Sequence, residues 1–350
     1  MTLRLLYGKP SSEEQSKGNW AEPEWGDYCA GRYINLAGTE LHWHHGVLGH
    51  SADADLIVVE QASKLLVNYA ISARSLAKRG QRVALWGHGK NIAASTSKLG
   101  EAIKRPYTNR ADWFFAYTES TKRLMIERDY PESRITVVQN AVDTHAIRSG
   151  VDSLMDDQLA GWRDRHGIST DAKLALALGS LYADKRPSFL IEAADAAHEA
   201  DPAVEFVIAG SGPDAAIVDE AARTRPWLHA VGPVFGTDKA AALASASCMV
   251  MPGVGGLVIV DAFAAGLPLV MCENPYHPPE FDYVQDGYNS MVLGETTSAE
   301  EFGNATVALL ADPGRLARLA DGSRADGEVY TIQAMVDRFA DGVLAALGRR

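Results

Sequence analysis

The chain has 350 residues, 47% hydrophobic and 22% charged, the composition of a soluble globular protein long enough to bury two cores. Its 33 Lys and Arg against 45 Asp and Glu leave a formal charge of −12 at pH 7, which argues against bulk binding to nucleic acid, where cations neutralise phosphates. Cys29, Cys248 and Cys272 are odd in number and lack metal-type spacing, so neither a disulfide framework nor a structural zinc site is expected.

No run of about twenty apolar residues occurs, and the N-terminus lacks a secretion-signal pattern, so a reducing, cytoplasmic location is expected. Lys98, Lys104, Arg105 and Arg110 form the one notable basic cluster. It reads as a solvated loop and helix face, with a weak contact to the inner membrane face as the alternative.

Leu3–Tyr7 reads as a strand, and residues 8–38 as a polar, Pro/Gly-punctuated loop. The continuous apolar run Leu56–Val59 suits a central parallel strand; a helical pattern from Lys64 to Lys78 and a second strand, Arg82–Trp86, complete a βαβ unit. Trp113–Tyr117 is a further strand, followed by a helix with Ser120 as its cap, and Arg134–Val138 another. From Asp143 to Ser169 the pattern loosens into an Asp-rich segment with an amphipathic stretch around Leu154–Trp162.

The second half restarts with strand Leu174–Leu178, helix Pro187–Glu199, strand Val204–Ala209, helix Asp214–Arg223, helix Thr237–Ala246 and strand Cys248–Met251. A Gly-rich turn, a short helix from Leu257 and a Gly-Leu-Pro exit into another buried strand follow. Val336, Phe339, Ala340, Val343 and Leu347 recur at helical spacing. The expectation is an α/β protein of two Rossmann-like domains facing across a cleft. Residues 1–150 form the first domain, 151–335 the second, and 336–350 a helix that packs on a domain face or crosses between domains.

Chemistry concentrates where such sheets bind ligands, at the carboxyl ends of strands. Gly253, Gly255 and Gly256 allow close approach of an anion to the backbone. The helix start at Leu257 and Val258 presents unpaired N–H groups, and Asp261 one turn on can accept hydrogen bonds from hydroxyls. Gly179 and Ser180, Lys185, Gly210 and Ser211, and the loop from Glu273 to Glu280 end neighbouring strands in the same way, with Lys185 as a cation for a diphosphate. Each alone is more often a tight turn or a surface lysine; four at corresponding strand ends converge on one crevice.

In the first half, Trp86-Gly87-His88-Gly89 delivers His88 to a strand end, and Glu60-Gln61 end the strand before it. Glu60 reads equally as a base and as an acid stabilised by a helix N-terminus. His42, His44, His45 and His50 have no Cys or acid at ligand spacing, so no metal site is expected. Asn140 and Asp143 shape the turn into the second half.

These residues carry a resemblance. V-V-Q-N-A-V-D-T (137–144), G-S-L-Y-A-D-K-R (179–186), F-V-I-A-G-S-G-P (206–213), P-G-V-G-G-L-V-I-V-D-A-F-A-A-G-L-P (252–268) and P-E-F-D-Y-V-Q-D-G-Y-N (279–289) resemble retaining, GT-B-fold, nucleotide-sugar glycosyltransferases of family 4. W-G-H-G resembles the family's first-domain His strand end, whose imidazole contacts the donor sugar. The resemblance implies transfer of a sugar from a UDP- or GDP-linked donor to a carbohydrate or lipid-linked acceptor, in cell-surface polysaccharide or glycolipid assembly, without a metal or other cofactor.

In that frame His88, Lys185 and Glu60 are the catalytic candidates, and Lys185 also binds the donor. Gly179, Ser180, Gly210, Ser211, Gly253, Gly255, Gly256, Leu257, Val258, Asp261 and Glu280 complete the donor site. Ser180 stands where the family pairs an Arg with its Lys, Gly253 replaces the first Glu of a paired-acid motif, and Asp261 shortens the second. The opening lacks the strand, Gly-rich loop and helix with which the family begins, so a catalytically silent or truncated nucleotide-sugar binder is the alternative. A nicotinamide oxidoreductase ranks lower, because no G-x-G-x-x-G follows an early strand.

Overall fold

The computed structural model describes residues 2–10, 22–36, 39–77, 80–89 and 107–348. The basic cluster is thereby outside the described residues except for Arg110, which is exposed. The chain divides into two compact units: it leaves unit 1 at Gln139, forms unit 2 from Asn140 to Ile332, and returns to unit 1 from Gln333.

Unit 1 holds eight of the strands in three sheets. β1 (Leu6–Tyr7) pairs in parallel with β2 (Asp27–Tyr28), and β3 (Gly31–Leu36) pairs antiparallel with β4 (Thr39–His44). The main sheet is fully parallel, in the order β5 (Leu56–Glu60), β6 (Arg82–Gly87), β7 (Trp113–Ala116), β8 (Ile135–Val137). Its crossover helices are Leu66–Ala77 and Glu119–Glu127. The last helix, Ile332–Ala346, closes on this unit: Phe339 stacks on Phe115 with ring centroids 4.2 Å apart and meets Trp86 edge-on at 5.6 Å. Gly342 is the contact point. A Cβ there would lie 2.5 Å from the Phe115 ring and 2.7 Å from Thr136 Oγ1.

Unit 2 is a six-stranded parallel sheet in the order β11 (Leu228–Ala230), β10 (Val204–Ala209), β9 (Lys173–Leu178), β12 (Cys248–Met251), β13 (Leu269–Cys272), β14 (Ser290–Leu293). Numbered within the unit this is 3-2-1-4-5-6, the doubly wound order, with its switch point between β9 and β12. Both faces are covered, so the strands are apolar almost throughout. Ala175, Ala177, Phe206 and Ile208 point into one core, with helices Pro187–Ala200, Ala215–Ala222 and Ala299–Leu310. Leu174, Leu176, Val207 and Ala209 point into the other, with helices Asp156–Arg165, Gly236–Ser245 and Val258–Ala264.

Four local expectations change. Residues 8–38, read as loop, contain β2 and β3: the period-two pattern of R-Y-I-N-L against T-E-L-H-W-H was hidden by the Pro and Gly before it, and pairing runs from Gly31↔His44 to Leu36↔Thr39. The strand expected over Leu3–Tyr7 shrinks to Leu6–Tyr7. The Asp-rich segment after Asp143 is two helices, Thr144–Asp152 and Asp156–Arg165, each using few buried anchors. Asp143 caps the first through a bond from Ala146 N, and Trp162, 1% exposed, pins the second. Thr118 rather than Ser120 is the N-cap residue of helix Glu119–Glu127.

Candidate functional site

The switch point of unit 2 gathers most of the sequence candidates. Gly179, Ser180 and Lys185 after β9 line one small cavity with Pro252, Gly253 and Val254 after β12. Lys185 ends a short 3-10 turn, Ala183–Lys185, and its Nζ donates to the Val254 carbonyl at 2.6 Å. The same turn accepts the Val254 N–H on the Asp184 carbonyl at 3.0 Å. Arg186, held in the left-handed region at φ 56°, lays its guanidinium over the Phe189 ring at 3.9 Å and reaches the Pro252 carbonyl at 3.3 Å. Two cations thus bracket the strand end. Burial pushes the Lys185 ammonium down to about 8, against the opposing pull of Asp184. It remains mostly charged at neutral pH, and an arriving anion would relieve its desolvation.

The glycines divide into two kinds. A Cβ on Gly210 would lie 1.8 Å from the Gly179 carbonyl oxygen, one on Gly212 2.2 Å from that of Leu181, and one on Gly253 2.2 Å from that of Asp184. These three are required by backbone packed on backbone, and the bond from Leu181 N to Ser211 O at 2.8 Å stitches the two loops together. Gly179, at φ 130°, meets nothing within 4 Å, and Gly256 meets only Pro278 Cγ at 3.9 Å. Those two leave room for a ligand.

Gly255 has a different fate from the one its spacing suggests, since its N–H donates to His277 Nδ1 at 3.2 Å. His277 Nε2 faces the Cys272 carbonyl at 2.9 Å, so the ring is neutral with its proton on Nε2, and it stacks on Phe281 at 3.9 Å. Burial, reinforced by Lys185, holds its pKa below the ordinary value. Beyond it, Ile259 N and Val260 N are bonded to the Gly256 and Leu257 carbonyls, both at 2.9 Å. The N–H groups of Gly256, Leu257 and Val258 make no backbone hydrogen bond among the described residues. These three are the amides available to an anion.

Two acids assigned to the site have protein partners. Asp261 is 8% exposed, with Oδ1 2.9 Å from Lys239 Nζ. Glu280, 3% exposed, accepts from Asn140 Nδ2 at 2.7 Å, while Tyr283 Oη donates to the Asn140 carbonyl at 3.1 Å. Glu280 therefore anchors the first residue of unit 2, and burial raises its pKa.

In unit 1, Glu60 and Trp86 are paired in register, so Glu60 and His88 emerge from adjacent strand ends. Glu60 is exposed; the His88 ring lies 4.4 Å from that of Tyr117. Gln61 organises this edge. Its Oε1 accepts from Gly89 N at 2.9 Å and its Nε2 donates to Thr108 Oγ1 at 3.0 Å. Gly87 must be glycine here, since a Cβ would stand 2.8 Å from that of Gln61. Among the described residues no group of three His, Cys, Asp or Glu side chains could hold a metal ion, and no helix is long and apolar enough to cross a membrane.

Sequence reasoning passed over His277, Lys239 and the clamping role of Gln61. His277 sits inside a loop already singled out, and a lone His two residues before Pro-Glu was its only signal. Lys239 is 22 positions from Asp261 in an Ala-rich helix, where nothing marks it.

Residues 172–312 match the family described as glycosyl transferases group 1. The chain is 22% identical over 208 residues to the alpha-monoglucosyldiacylglycerol synthase of Acholeplasma laidlawii, a match spanning 57% of this chain and half the length of that relative. HepE of Anabaena, solved in complex with UDP, superposes with a TM-score of 0.68 at 17% identity, covering 85% of this chain and 81% of that one. Sucrose-phosphate synthase of Thermosynechococcus elongatus superposes with a TM-score of 0.64 at 16% identity, covering 85% and 76%.

Proposed function

From a GT-B-type fold whose second unit carries a glycosyl transferases group 1 domain, we propose that the chain is a retaining glycosyltransferase using an NDP-sugar donor. One observation carries the reading: an ammonium, Lys185, lies on the glycine turn at the switch point of a 3-2-1-4-5-6 sheet, beside open backbone at Gly179 and Gly256. The UDP bound by the Anabaena neighbour and the glycolipid product named for the Acholeplasma relative support a UDP-linked donor and a lipid-linked or carbohydrate acceptor.

In the proposed step the acceptor hydroxyl oxygen bonds to the anomeric carbon as the bond from that carbon to the diphosphate oxygen breaks. The hydroxyl proton passes to the departing diphosphate. Lys185 and the N–H groups of Gly256, Leu257 and Val258 stabilise the charge that develops there, so catalysis is leaving-group stabilisation and positioning. The diphosphate takes the place of the Val254 carbonyl at the Lys185 ammonium. Asp261 receives the ribose hydroxyls. The resemblance assigns His88 to the donor sugar, and Glu60, at the adjacent strand end, hydrogen-bonds substrate hydroxyls. No metal ion has a role in this scheme, and the reaction belongs to glycolipid or polysaccharide assembly at the cytoplasmic face of a membrane.

The test is transfer and donor hydrolysis with radiolabelled UDP- and GDP-sugars and diacylglycerol or oligosaccharide acceptors, for wild type and Lys185→Ala. Turnover by the wild type that falls at least about a hundredfold in the variant is expected, the loss of a buried charged contact of about 2.7 kcal/mol. Equal turnover by both proteins contradicts the phosphate role of Lys185. Donor binding without transfer or hydrolysis by the wild type favours a silent nucleotide-sugar binder.

A further inference from the structure

Asp261 holds a costly position: its Oδ1 is shielded from solvent, and its side chain is only 11% exposed. A carboxylate buried to this degree needs a compensating charge. That charge comes from Lys239 on helix Gly236–Ser245, whose Nζ reaches Oδ1 at 2.9 Å. No hydrogen bond engages Oδ2 among the described residues, so one side of the carboxylate is held by the protein and the other is open.

The neighbouring elements supply no substitute. On helix Pro313–Val329, Asp326 accepts from Asn289, Arg324 pairs with Asp321, and Glu328 pairs with Arg148 of helix Thr144–Asp152. On the 279–283 turn, Glu280 accepts from Asn140, and Asp282 is exposed, as are His145 and Asp152. Burial raises the Asp261 pKa, and the charge of Lys239, ion-paired to Oδ1, is what draws it back.

We propose that Lys239 is a positioning residue of the nucleotide site, one that keeps Asp261 ionised and held by a single oxygen so that the other can accept hydrogen bonds from a vicinal diol. The proposal rests on the nucleotide reading above. An ionised carboxylate accepts both hydroxyls of a ribose; a protonated one keeps a donor of its own and loses that match. Lys239 acts through Asp261 and makes no contact with the diphosphate, whose cation is Lys185.

Calorimetric binding of UDP, GDP and inorganic pyrophosphate to wild type, Lys239→Met and Lys239→Arg between pH 6 and 7.5 tests this. In Lys239→Met the carboxyl must lose its proton to receive the diol, so affinity for the nucleotide falls as pH falls. The expected loss is about tenfold at pH 6, shrinking as pH rises, with pyrophosphate binding unchanged and the Arg variant close to wild type. Pyrophosphate binding also reports that the variant is folded. The proposal is overturned if Lys239→Met keeps the wild-type nucleotide affinity and pH profile, if Arg does not restore them, or if pyrophosphate binding falls in parallel. Absence of all nucleotide and pyrophosphate binding in the wild type overturns the nucleotide reading along with it, so the two failures are told apart.

Discussion

Two glycine-bearing turns of unit 2 look alike in sequence and differ in what their glycines are for. In Gly210-Ser211-Gly212 both glycines face carbonyl oxygens of residues 179–181 at distances no Cβ tolerates, and the loop exists to interlock with its neighbour. In Gly253-Val254-Gly255-Gly256 the first glycine is closed by Asp184 and Lys185, the third residue's N–H is taken by His277, and only Gly256 opens toward solvent. Glycine spacing alone therefore reports close approach without saying whether the approaching group is a ligand or another stretch of backbone.

Substitutions sharpen the contrast, beginning with the largest effect. Gly210→Ala drives a methyl group into the Gly179 carbonyl, and a stability loss of more than about 3 kcal/mol is expected in denaturant unfolding. A loss under about 1 kcal/mol would show that this turn is not sealed. His277→Leu leaves the Gly255 N–H and the Cys272 carbonyl without their partner, at an expected cost of about 1–3 kcal/mol, read as a lower unfolding midpoint. His277→Asn, whose side-chain oxygen can take the place of Nδ1, should recover part of it. Equal midpoints for the Leu and Asn variants would mean the bond to Gly255 contributes nothing.

Gly256→Ala is the converse case. Its stability should stay within about 0.5 kcal/mol of wild type, while UDP binding weakens about tenfold because a methyl group stands where the anion meets the backbone. Unchanged UDP affinity would move the diphosphate away from this residue.

The same contrast explains what could be read in advance. The apolar runs Leu174–Leu178, Val204–Ala209 and Cys248–Met251, each short and followed at once by Gly or Pro, read as strands buried on both faces, which points to a parallel sheet and hence a ligand edge at its carboxyl end. Lys185 and Gly253 could be assigned to that edge because both lie in the loops that leave such strands, after Leu178 and Met251. What escaped depends on contacts between segments distant along the chain. Nothing near Lys239 announces Asp261, and His277 gains its meaning from a single backbone N–H. Gln61 matters through Gly89 and Thr108, 28 and 47 positions away. The β3–β4 hairpin escaped for a local reason: Pro and Gly upstream masked a short alternation.

The most direct test of the account is the pH dependence of UDP binding to wild type and Lys185→Met, followed by calorimetry in buffers of different ionisation enthalpy. Burial brings the free Lys185 ammonium to about 8, and a bound diphosphate must raise it. The account predicts wild-type affinity that is level between about pH 7 and 8, above the titration of the terminal phosphate, and weakens as pH rises past 8, with proton uptake near pH 8, and neither feature in Lys185→Met. A wild-type profile that stays flat through pH 9, or one that Lys185→Met reproduces, contradicts the placing of the diphosphate on Lys185.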